Sequence, residues 1–115
     1  MTLSRLLFVH ALLTLAAGLV LIGAPGVIPG FVGIPVVQET NLLCYLVGVD
    51  EVSLAVLSYC SRRLSDQQAL KLVCLTLVSF HLLTAGVEVY AFTLGVSARI
   101  WANVVLRVIV TALFS

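Results

Sequence analysis

Apolar residues fall into long runs, broken by a few short stretches that are polar or rich in Pro and Gly. The first run, Leu3 to Ile22, carries only Arg5 and His10 as ionisable groups. Its length predicts a helix over 3–22, about what a bilayer core requires. His10, Thr14, Ala17, Gly18 and Leu21 share one face of that helix, and small residues there allow a second backbone to approach closely. Arg5, the apolar run and Ala16-Ala17-Gly18 together have the parts of a signal peptide. The run is long for one and more spans follow, so it reads as a retained first span.

Residues 23–36 contain Pro25, Pro29 and Pro35 among several glycines, yet also Val27, Ile28, Phe31 and Val32. Pro and Gly oppose a long helix, and the apolar side chains oppose a solvated loop. An interfacial or re-entrant segment satisfies both. A second helix is expected over 37–60. Ser65 with Gln68 matches a capping box, which starts a third over 66–94, where Gly95 suits the stop. Ser97 can cap a fourth over 98–114, and the short connection makes helices three and four antiparallel neighbours.

The chain has 115 residues, 62% of them hydrophobic and 10% charged, with mean hydropathy +1.23. A soluble domain this small has too much surface to hide that apolar area. The expectation is one all-α domain over 1–115: a multi-pass integral membrane four-helix bundle, with the lipid bilayer as its solvent. Arg62, Arg63 and Lys71 lie between helices two and three, and Arg5 precedes helix one. The positive-inside rule then places both termini in the cytoplasm; Arg99 is the one dissenting basic residue. Net charge near zero gives no reason to expect nucleic acid. Cys44, Cys60 and Cys74 show no paired spacing and read as buried small hydrophobes.

Two acids stand in the middle of the second run. Leu42, Leu43, Leu46, Val47, Val49, Val52, Leu54, Val56 and Leu57 surround Asp50 and Glu51. A charge at a helix centre costs about 2.5–3.5 kcal/mol on an insertion scale, so the pair costs about 5–7, against about 3–5 returned by the nine apolar residues. The pair needs polar company, and ionisable groups at such depth are functional candidates by default.

The other helices offer that company. Arg99, Asn103, Arg107 and Thr111 recur every four residues as a stripe. Cys74, His81, Ala85 and Glu88 share a narrow arc of helix three. Arg107 is therefore expected to meet Asp50 or Glu51, and Arg99 or Asn103 to meet Glu88. Three acids against two arginines leave either His81 protonated or one carboxyl neutral. In this reading Asp50, Glu51 and His81 are the candidate catalytic groups, and Arg107, Glu88, Asn103 and Arg99 the binding groups.

Chemistry at bilayer depth favours apolar substrates. The leading expectation is a site that binds or converts a small lipophilic, isoprenoid-like molecule, with proton-initiated isomerisation or cyclisation as the reaction. The sequence leaves open whether the chain is an enzyme. It contains no Asp-rich metal motif, and no metal or cofactor is expected; bis-histidine haem ligation by His10 and His81 is hindered by their different depths. A small proton-coupled transporter is one alternative. Small multidrug transporters have this length and work as homodimers, so a second copy is a candidate partner, although their glutamate lies in the first helix, which here has only His10. An assembly or stabilising subunit, with the polar cluster as helix glue, is the other.

Leu19–Pro25, the second helix with Gly48, the Phe80-His81-Leu82-Leu83 run and a fourth helix bearing Arg107 together resemble small four-helix membrane proteins of the DoxX-like group. The resemblance covers most of the chain and implies the fold. It implies no catalytic residue, because Asp50-Glu51 matches no motif of that group.

Overall fold

The computed structural model describes residues 1–115. It is all-helical: α1 (Leu3–Gly23), α2 (Val27–Phe31), α3 (Gln38–Ser61), α4 (Gln67–Thr93) and α5 (Ile100–Phe114). The four long elements lie within two residues of their expected bounds. The count is five rather than four, because the Pro/Gly-rich segment contains one short helix. Three helices, α1, α3 and α4, are long and apolar enough to cross a membrane. The fourth long element, α5, is apolar but has 15 residues, about 22 Å at 1.5 Å per residue, short of a hydrocarbon core of about 30 Å.

The helix ends follow local chemistry. Thr2 caps α1, its hydroxyl accepting from the Arg5 N–H at 3.3 Å. Pro29 sits in the first turn of α2, where its missing N–H costs nothing. Two helices end in Schellman motifs. At α2, Gly33 N–H bonds Gly30 O and Ile34 N–H bonds Pro29 O; at α4, Gly95 N–H bonds Phe92 O and Val96 N–H bonds Ala91 O. Both motifs need a left-handed residue, and Gly33 (φ 78°) and Gly95 (φ 106°) supply it. Ser97 acts just before α5: its hydroxyl accepts from the Arg99 N–H at 3.3 Å, and i→i−3 bonds from Ile100 and Trp101 open the helix.

The chain packs as two compact units, Met1–Asp66 and Gln67–Ser115. In the first, α1 and α3 lie antiparallel, as the pairs His10–Ser58 and Gly18–Gly48 require. The buried stripe of α1 is Leu7, His10, Ala11, Thr14, Gly18 and Leu21. It meets the stripe Cys44, Gly48, Glu51, Ala55, Ser58 and Ser61 of α3, in which most side chains are small. The approach is close enough that a Cβ on Gly18 falls 2.8 Å from Gly48 O, and one on Gly48 falls 3.0 Å from Gly18 O. The short helix α2 packs on α1 and buries Pro29.

In the second unit α4 and α5 pack antiparallel. Val73, Leu77, His81 and Ala85 are buried on α4, and Ile100, Val104 and Phe114 on α5. Phe92 and Trp101 close one end of the seam edge to face, with ring centroids 5.5 Å apart. All three cysteines are free. Cys44 is buried and Cys74 half-buried, but Cys60 is exposed, which corrects the expectation that all three lie inside. Cys60 falls between the buried positions Ser58 and Ser61 and so points off the packed stripe.

Candidate functional site

The α4–α5 seam gathers four polar side chains into one chain of contacts. Glu88 on α4 lies opposite Asn103 and Arg107 on α5, which are one turn apart. Glu88 Oε1 accepts from Asn103 Nδ2 in a short bond and from Arg107 Nε at 3.2 Å. The second contact is also an ion pair, whose side chains are 12% (Arg107) and 14% (Glu88) exposed. Arg107 Nη1 lies 3.2 Å from His81 Nδ1. Arginine carries only donors, so Nδ1 accepts and the ring is the neutral Nε2–H tautomer. The Arg107 guanidinium carbon also lies 5.4 Å from the Phe80 ring centroid, within cation–π range.

One atom in this network is left over. Glu88 Oε2 is buried and has no hydrogen-bond partner. Both donors converge on Oε1, so the carboxylate is satisfied on one side only. Buried polar atoms without partners are uncommon and need a reason.

The i, i+4 stripe on α5 holds over Asn103, Arg107 and Thr111, all half-buried. Thr111 turns its hydroxyl to Arg107 O at 2.8 Å. Arg99 does not join the stripe: it is exposed and forms the N-cap position of α5. Glu88 therefore takes Asn103 and Arg107 together.

The two adjacent acids of α3 separate. Glu51 is 4% exposed, whereas Asp50 is exposed and its carboxylate makes no ion pair. Consecutive residues on a helix point about 100° apart, so one stripe cannot bury both. The expected buried acid pair is thus a single buried acid, Glu51.

His10 has a partner that sequence reading did not identify. Its Nδ1 lies 2.7 Å from Ser58 Oγ, with both residues buried. Thr14 sends its hydroxyl back to His10 O at 2.8 Å. The available signal was spacing, since Ser58 follows Glu51 by seven residues and shares its face. No group of three or more His, Cys, Asp or Glu side chains is placed to hold a metal ion.

Comparison with protein-family models, with curated protein sequences and with solved structures found no match to this chain.

Proposed function

We propose that this is a multi-pass integral membrane protein that binds the hydroxyl end of a small lipophilic molecule at the α4–α5 polar network. The carrying observation is Glu88 Oε2, a buried acceptor with no donor. A group that satisfies it must donate: an alcohol, phenol or quinol O–H fits, and an ether, ketone or carboxylate does not. The apolar part of the ligand is supported by the surroundings. Leu83 and Val87 on α4 and Val105 and Leu106 on α5 are exposed on the same two helices, so a chain leaving the network runs along apolar surface.

In this reading the four longer helices cross the bilayer with both termini in the cytoplasm, local thinning of the bilayer accommodating the 15-residue α5, and the DoxX-like resemblance is one of fold. The roles divide by chemistry. Glu88 accepts the ligand proton, Arg107 and Asn103 hold the carboxylate, and His81 fixes the guanidinium. Conversion of the ligand by proton-initiated isomerisation or cyclisation is the enzymatic form of the same reading.

Farnesol and farnesyl methyl ether differ at the one group that matters. Farnesol is expected to raise the thermal midpoint of the detergent-purified protein, and the ether to leave it unchanged. Glu88→Gln keeps an acceptor for Arg107 and Asn103 and turns the other terminal atom into a donor. Its affinity for farnesol should fall by about tenfold as a charged acceptor becomes a neutral amide, and the alcohol should lose its advantage over the ether, because both oxygens can accept from the amide N–H. Equal shifts from alcohol and ether in the wild type, or an unaltered farnesol response in Glu88→Gln, would refute the proposal.

A further inference from the structure

We infer that Arg62 anchors the phosphate of an anionic phospholipid headgroup, at the end of the α1–α3 pair where α1 begins and α3 stops. This rests on the membrane reading above but uses none of the α4–α5 network.

The antiparallel pairing brings the start of α1 beside the end of α3. There the Arg62 guanidinium carbon lies 4.3 Å from the Tyr59 ring centroid and 5.0 Å from that of Phe8. Its Nε donates to Tyr59 O at 3.2 Å. A long, flexible side chain is thus fixed by two rings and one hydrogen bond. Those contacts use its faces and Nε, and leave the two Nη groups, the fork that matches phosphate oxygens. Arg62 has no carboxylate partner, and neither have Arg5 and Arg63.

Two neighbours add positive potential. Arg5 lies one turn before Phe8 on α1, at the same end, and Arg63 follows Arg62. The positive pole of α1 at this end is offset by the negative pole of α3, which stops here, so the positive potential comes from the three arginine side chains. Below the cluster both helices present apolar side chains, with Leu12 and Val56 exposed. A diffusing phosphate ion would use only the top of such a site. A phospholipid uses both parts, the phosphate on Arg62 and its chains along the helices, and basic clusters at a membrane surface attract anionic lipids.

The test reconstitutes the full chain into nanodiscs of phosphatidylcholine with a minority of phosphatidylglycerol and counts lipids retained by native mass spectrometry. The wild type is expected to keep phosphatidylglycerol in preference to phosphatidylcholine. Arg62→Gln should lower that retention by about tenfold, while Arg63→Gln, with the same charge change, lowers it by no more than about twofold. Tyr59→Leu keeps every charge and removes one ring, and should cost about two- to fivefold. Equal losses in Arg62→Gln and Arg63→Gln would reduce the effect to general surface charge and overturn the inference. So would release of the lipid by millimolar inorganic phosphate, which would assign the fork to the free ion. A protein that enters the nanodisc but shows no lipid preference refutes this site alone; one that fails to enter refutes the membrane reading with it.

Discussion

Arg107→Leu is expected to destabilise the protein by about 3 kcal/mol or more, the usual consequence of removing one partner from a buried ion pair. Two groups lose a partner together, and a third has none to begin with. Glu88 Oε1 keeps only Asn103, Glu88 Oε2 stays without a donor, and His81 Nδ1 loses the Nη1 donor at 3.2 Å. With both side chains under 15% exposed, solvent screening does little to soften this. The double variant Glu88→Leu/Arg107→Leu removes both charges and should recover much of the loss, because an apolar pair can replace a buried ion pair at little cost. Helicity followed through detergent unfolding measures each variant. A single variant within about 0.5 kcal/mol of wild type, the range of an ordinary surface change, would mean that the network does not hold α4 to α5.

The second large effect is steric. Gly18→Leu should cost about 3 kcal/mol, at the upper end for overpacking. The first carbon of any side chain at this site meets the Gly48 carbonyl oxygen at 2.8 Å and Val52 Cγ2 at 2.7 Å. Rotation of Val52 relieves the second contact, but the first is to backbone, so the helices must move apart and lose the contacts around them. Gly86→Ala in α4 is the control. Nothing lies within 4 Å of a Cβ there, and alanine in a helix interior gains about 1 kcal/mol over glycine. The two substitutions should therefore shift the thermal midpoint in opposite directions. A loss at both positions would indicate that glycine flexibility, not close approach, sets the requirement.

The long helices were legible because apolar runs and their terminators agree. Gly95 supplies the φ its Schellman motif needs, and Ser97 provides an acceptor just ahead of α5. The short α2 was not legible. Pro29 and Gly30 lie inside it, and no periodic signal distinguishes five residues from a loop. The α4–α5 network was partly legible, since four-residue spacing on α5 put Asn103 and Arg107 on one face and seven-residue spacing on α4 aligned His81 with Glu88. Which carboxylate Arg107 pairs with was not, because spacing within a helix does not fix register between helices. Asp50 shows a different limit. Insertion cost counts Asp50 and Glu51 together because they are adjacent in sequence, whereas a step of about 100° on the helix separates them. Ser58 escaped notice because a hydroxyl carries no insertion penalty large enough to stand out in an apolar run.

The central claim is that Glu88 holds a donor-bearing lipophile. The most direct measurement is native mass spectrometry of the wild-type protein and Glu88→Gln, each extracted from membranes in mild detergent with no ligand added. The wild-type chain is expected to leave the detergent with one defined small mass, identifiable as an alcohol, phenol or quinol, and the Glu88→Gln chain to leave without it. A wild-type chain that emerges bare, or the same bound mass on both proteins, would contradict the account and leave the α4–α5 network as the contact that joins two helices.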